Sequence, residues 1–286
     1  MTKCSIPFDT EIGRQLRDAA ADCRILLISG LPSTGKSLML QQLIILANEA
    51  GRPVHTMQWD DARSAFETQE WLYVFPEINS VTHPGIRKAV GLWVRGAVWN
   101  WYNVHGTRNN LLIVELPVIG GRFVELLQPQ DDAPETILTS KHTLALVPVP
   151  TNEMRRAIAG IRADTSSYPR NKLEARDAPP HIVESQWAEA HQLYAHWNTF
   201  EDSSQNDVRY QEAMCRSMFE HLCRYRHVQV LTIDRVFPTT GSVYERIAPT
   251  KPLRATSNEV IAAFAKLKCL YPGQSAERAT EDWSDY

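Results

Sequence analysis

Gly30-Leu31-Pro32-Ser33-Thr34-Gly35-Lys36-Ser37 fits G-x-x-x-x-G-K-[ST], the Walker A pattern. Its two glycines permit a tight turn in which backbone N–H groups converge on one concavity, and a helix starting there adds the positive end of its dipole. In that reading Gly30, Ser33, Thr34 and Gly35 cradle a triphosphate, Lys36 reaches its terminal phosphates, and the Ser37 hydroxyl takes a magnesium ion. The ligand implied is ATP or GTP with Mg2+. The alternative is an ordinary strand-to-helix turn with an exposed lysine. The flanking residues decide for the phosphate loop: a continuous apolar run, "RILLIS", precedes it, and a helical pattern with Met39, Leu43, Leu46, Ala47 and Ala50 on one face follows, ending at Gly51.

Elements of the same style recur and must position this loop. "PVHTMQWDD" reads as a second strand ending on two aspartates, and "NNLLIVELP" (109–117), "KHTLALVPVP" (141–150) and "RHVQVLTIDR" (226–235) read as further apolar strands. Helical patterns lie at 9–22, 84–104, 151–164, 181–198 and 206–225, and Thr256 with Glu259 fits a capping box ahead of a last helix. Strands alternating with helices predict one α/β domain over 1–286: a doubly wound parallel sheet of about five strands with flanking helices. In such a sheet ligands gather beyond the carboxyl ends of the strands.

Carboxylates at those ends are the next candidates. Asp60 or Asp61, closing the second strand, can accept a proton from an attacking hydroxyl, or can simply start a helix. A Walker A loop followed by a strand closing on Asp, with Arg63 nearby, resembles P-loop kinases of small molecules and nucleic-acid ends: nucleoside and nucleotide kinases, polynucleotide kinase and zeta-toxin-like kinases. The resemblance covers residues 24–63 and the strand pattern, and implies a three-layer P-loop fold, Asp60 or Asp61 as base and Arg63 as a contact to the acceptor. Glu115, ending the apolar run "LLIVEL", has the Walker B form with Glu in place of Asp; it would serve the metal or the substrate side. Asp234 in "VLTID" is a second match and also fits an edge-strand end.

Two basic segments remain. Residues 78–114 hold no acid but carry Arg87, Lys88, Arg95 and Arg108 among four Trp and Tyr residues. On a helix from Pro84, Ile86, Val90, Val94, Ala97 and Val98 form the apolar stripe, while Arg87, Gly91, Arg95 and Tyr102 share another face. Within 78–108 that face can grip an anionic acceptor, or the tryptophans are core and the arginines solvated. The span 153–180 has six Lys/Arg against four Asp/Glu and follows the fourth strand, where kinases of this kind carry a lid. The resemblance makes 151–180 a lid, with Arg162 and Arg170 as catalytic cations, Arg176 on the nucleotide, and Arg155 and Arg156 behind them. A charged surface helix is the alternative.

The chain of 286 residues has 43% hydrophobic residues and a formal charge of -3. No global basic field draws duplex nucleic acid or an anionic membrane, although an RNA or DNA end stays open as acceptor. Five cysteines without a framework spacing and no apolar run of membrane-spanning length point to a soluble cytoplasmic protein. The expectation is therefore an ATP-dependent phosphotransferase acting on a small hydroxyl or phosphate acceptor such as a nucleoside or nucleotide. The alternative is a P-loop ATPase serving as a switch, with Glu115 polarising water. "RNKLEARD" breaks the guanine-reading N-K-x-D pattern after Lys172, which speaks against a GTPase switch.

Overall fold

The computed structural model describes residues 5–79, 81–106, 109–167, 180–198, 210–237, 242, 248–272, 280 and 283–286, with backbone alone at 162–167, 180 and 198. In chain order the elements are α1 (Glu11–Asp22), β1 (Ile25–Ser29), α2 (Lys36–Glu49), β2 (Val54–Gln58), α3 (Trp59–Arg63), α4 (Gln69–Val74), α5 (Pro84–His105), β3 (Leu111–Leu116), a 3-10 turn at Val124–Leu126, α6 (Ala133–Leu138), β4 (Thr143–Pro150), α7 (Asn152–Ser167), α8 (Pro180–Asn198), α9 (Glu212–Leu222), β5 (Val228–Ile233), β6 (Lys251–Pro252) and α10 (Ser257–Leu270).

The strands form one six-stranded sheet in the order β5-β4-β1-β3-β2-β6, parallel at every pairing. The short edge strand β6, which carries Pro252, is the one beyond the expected five. Both faces are covered, which is why the strands are apolar at consecutive positions. Along β1, Ile25 and Leu27 enter a core with α5, α9 and α10, whereas Leu26 and Ile28 enter a second core with α1 and α2. The sequence placed one apolar face on α2, but Leu40 and Ile44 are buried as well as Met39 and Leu43, because α1 packs beside α2 on the same face of the sheet.

Local signals set the element ends. Thr10 accepts from the Gly13 N–H at 3.0 Å and starts α1, His83 caps α5 with Pro84 in its first turn, and Thr256 with Glu259 makes the expected capping box of α10. Gly51, at φ 68°, takes the left-handed turn after α2. β2 stops at Gln58, three residues earlier than expected. Trp59 turns inward into the core and Asp60 and Asp61 fall in the first turn of α3, where their charge suits the helix N-terminus. The helix expected over 206–225 runs Glu212–Leu222, and residues 206–209 lie outside the described residues.

Because β1 lies between β3 and β4, the chain leaves it toward one side of the sheet and later returns to the other. The crevice at such a reversal opens at the carboxyl end of β1, where residues 30–37 sit. Among the described residues no helix is long and apolar enough to cross a membrane.

Candidate functional site

The loop after β1 has left-handed backbone at Ser33 (φ 59°) and Gly35 (φ 93°). Left-handed residues alternating with right-handed ones make anion-binding nests, and the first N–H groups of the following helix have no intrahelical acceptor. A Cβ on Gly35 would meet nothing within 4 Å, so glycine is needed here for its backbone and not for space. At Gly30 the reason is space, since a Cβ would press on Thr34 Oγ1 and the Pro148 ring at 3.0 and 3.4 Å. Thr34 is fully buried and donates to the Leu31 carbonyl at 2.8 Å. Lys36, the first residue of α2, folds back and donates from Nζ to the same carbonyl at 2.7 Å. It is 8% exposed, so its charge lies over the turn and not out in solvent. Ser37 is half-buried one residue further along α2.

A second cation completes this corner. Arg155, in the first turn of α7 at the end of β4, donates to the Ser33 carbonyl at 3.2 Å and stacks over Tyr210 at 5.7 Å. The Tyr210 hydroxyl donates to the Pro150 carbonyl at 2.7 Å. The fields of Arg155 and Lys36 both reach Cys215 of α9, although burial dominates and pushes that thiol up to about 11. Of the arginines expected after the fourth strand, Arg155 is the one that the described residues bring to the loop. Arg162 lies further along α7, and Arg170 and Arg176 lie outside the described residues.

Glu115 of β3 lies in register with Ile28 of β1 and Gln58 of β2, beside the strand end that feeds the loop. Gln58 Nε2 donates to its Oε2 at 3.0 Å, which fixes the carboxylate at the crevice. Asp234 follows edge strand β5, is exposed, and pairs with Arg235 at 3.0 Å. The register puts Glu115 and not Asp234 beside β1.

The two aspartates and Arg63 stand at the carboxyl end of β2. Asp60 accepts from Arg63 Nε at 2.9 Å, and Asp61 accepts from Arg254 Nη2 at 3.0 Å. Arg63 also donates to Glu67 at 2.6 Å and to Thr82 at 3.1 Å. Burial works against its charge, but Asp60 and Glu67 outweigh that and hold the guanidinium above its ordinary value. Arg63 is thus occupied by carboxylates of its own neighbourhood.

The α5 face divides. Ile86, Val90, Val94, Ala97 and Val98 are buried as the stripe requires, and Trp93 and Trp101 are core residues beside them. Arg95 is buried and committed to structure. It bonds both oxygens of Asp132, donates to Glu135 at 2.8 Å, and reaches the carbonyls of Glu125 and Gln128 at 2.7 and 3.1 Å. Arg226 grips the same carboxylate of Glu135 at 2.8 Å, so the two arginines clamp the 3-10 turn and α6. Gly91 faces the buried Glu125, and Tyr102 OH accepts from Arg24 at 3.1 Å. Arg87 of that face lines a cavity.

That cavity, about 340 Å³, lies between α5, the loop after β3 and α8. Arg87 donates to the Gly120 carbonyl. Arg122, which sequence analysis did not single out, joins it there and donates to the Ile119 carbonyl at 2.5 Å. The signal that could have found it is the glycine pair ahead of it: Gly120 and Gly121, at φ 74° and 78°, reverse the chain so that Arg122 turns back toward α5.

A scan against family models and searches of curated proteins and of solved structures give no match to this chain.

Proposed function

We propose that the chain is a P-loop phosphotransferase of the small-molecule kinase type, moving the γ-phosphate of ATP or GTP to a small acceptor. The observation that carries this reading is the loop Gly30–Ser37 at the sheet's point of reversal, with Lys36 folded over the turn and Glu115 on the adjacent strand. Backbone N–H groups of the loop and the start of α2 would hold the β- and γ-phosphates, with Lys36 against the transferring group. Arg155 steadies the loop through Ser33 and adds positive charge where the bridging bond breaks. Ser37 and Glu115 are hard oxygen donors of the kind Mg2+ takes, and they would hold it, Ser37 directly and Glu115 directly or through water. Mg2+ would neutralise charge on the phosphates. Asp60, the more exposed of the two aspartates, is the base for the acceptor hydroxyl, and Asp61 stays tied to Arg254.

One observation favours a second reading, an NTP hydrolase. Both aspartates are engaged by arginines, and Glu115, which accepts from Gln58, stands on the strand next to β1 at the crevice. The test is ADP formation from Mg-ATP, alone and with nucleosides, nucleotides, sugars and short oligonucleotides. Acceptor-dependent ADP with a phosphorylated product, lowered on the order of 100-fold or more in Lys36→Ala, supports the transferase. ADP at one rate without acceptor supports the hydrolase, and turnover unchanged in Lys36→Ala overturns both.

A further inference from the structure

The cavity beside α5 has a chemistry of its own. A Cβ on Gly120 would stand 2.6 Å from Arg87 Nη1 and 3.3 Å from Arg122 Nη1, so both guanidinium groups converge on the open face of one glycine. Any larger residue there would fill the point at which they meet. Two like charges brought together and partly removed from water are each disfavoured: Arg122 is pushed down to about 10 by burial first and then by Arg87, and burial also lowers Arg87. Arg87 Nε is sealed from water without a hydrogen-bond partner. Among the described residues neither guanidinium forms an ion pair; the known bonds of both go to main-chain carbonyls.

Arg63 and Arg95, at other positions of the same molecule, show the contrast. Each is matched by two carboxylates within hydrogen-bond distance. Among the described residues one acid stands across the cavity, Glu189 of α8, whose Oε1 accepts from Trp283 Nε1 at 3.1 Å and whose field reaches both arginines. The fields of Asp60 and Arg63 also reach Arg122, which sets the cavity next to the carboxyl end of β2. Among the described lining residues two cations face one anion, an excess of positive charge, with Glu189 and Ser185 able to meet a hydroxyl or amine on the same ligand. A volume of about 340 Å³ suits a sugar phosphate or a nucleoside monophosphate.

We propose that this pocket is a subsite for a phosphomonoester, held by Arg87 and Arg122 over Gly120; the further step, that this phosphomonoester is the phosphoryl acceptor, rests on the transferase reading above. A dianionic phosphate offers the oxygens that two guanidinium forks require.

Binding is measured by calorimetry with inorganic phosphate, ribose 5-phosphate, AMP and, as the uncharged comparison, ribose. A Lys36→Ala background weakens phosphate binding at the loop, and the arginine variants assign what remains. The two phosphomonoesters are expected to bind and ribose not to, with Arg122→Gln and Arg87→Gln each weakening them roughly tenfold or more. Glu189→Gln keeps an oxygen for Trp283 and removes the opposing charge, so it is expected to tighten phosphate binding several-fold. That opposite sign cannot come from partial unfolding. Phosphomonoester affinity unchanged in both arginine variants, or weakened in Glu189→Gln, overturns the subsite. In the unmodified chain, phosphomonoester binding without any ADP formation from Mg-ATP overturns the transferase reading and upholds the subsite. Acceptor-dependent ADP formation with uncharged sugars, insensitive to Arg122→Gln, upholds the transferase and overturns the acceptor step, while the calorimetry decides the subsite.

Discussion

Helix α5 contains two interior glycines whose replacement by alanine should move stability in opposite directions. In an exposed helix interior alanine is favoured over glycine by about 1 kcal/mol, because it loses less backbone freedom on folding. Gly96 is exposed and a Cβ there meets nothing within 4 Å, so Gly96→Ala should gain roughly that amount. At Gly91 a Cβ would stand inside van der Waals contact of the Glu125 carboxylate. Glu125 is 4% exposed, so the displaced carboxylate has no route to water, and its partner is Lys88 Nζ at 3.1 Å. Burial already raises the Glu125 pKa, with Lys88 acting to lower it. Separating a buried pair leaves uncompensated charge and costs about 3–5 kcal/mol. After the helix-propensity gain, Gly91→Ala should lose about 2–4 kcal/mol. Urea unfolding at pH 7 with matched m-values measures both variants, and the loss at Gly91 should persist in 0.5 M salt because the pair is not screened by solvent. Equal stability of the two variants would refute the reasoning.

Three further outcomes are expected. Arg95→Met leaves Asp132 without its guanidinium and Glu135 to Arg226 alone, and should lower unfolding free energy by roughly 2 kcal/mol, read as a shift in the urea midpoint. His55, buried with its ring 4.4 Å from that of His105, is pushed down to about 4, by burial first and then by the charges of His105 and Lys251. The unfolded chain takes up a proton near pH 6.5 that the folded chain refuses, so stability is whole above that pH and declines as pH falls toward 4, by at most about 1.4 kcal/mol per pH unit. The urea midpoint of His55→Leu should be flatter over that window. Arg155→Ala removes the bond to the Ser33 carbonyl and should weaken Mg-ATP binding about tenfold in titration calorimetry, with a smaller effect than Lys36→Ala.

Much of this was legible in the chain because the signals are local. Apolar runs at 25–29, 111–116 and 143–150 announce buried parallel strands, since a strand covered on both faces has no polar side to alternate with, whereas 228–233, at the sheet edge, carries Gln229 and Thr232 and is half-exposed. The Gly30–Ser37 pattern sat between such a strand and a helix, and Glu115 closed a run whose register puts it beside β1. What the sequence by itself determined was therefore the α/β class, the order of its long elements and the place of the loop.

Tertiary structure decided which charges are committed and which face a cavity. Arg87 and Arg95 lie two turns apart on one helix face with the same side chain, yet Asp132 and Glu135 meet Arg95, while Arg87 meets Arg122 and one carbonyl. Their partners lie about 30–40 residues away on separate elements, and no periodicity within α5 records them. Similarly, Arg155 reaches Ser33 across 122 residues because β4 lies beside β1, a neighbour relation that the chain order hides. Charge is written along the chain, but its cost and its use depend on what else is brought within a few ångströms and how much water is excluded, and only packing sets those.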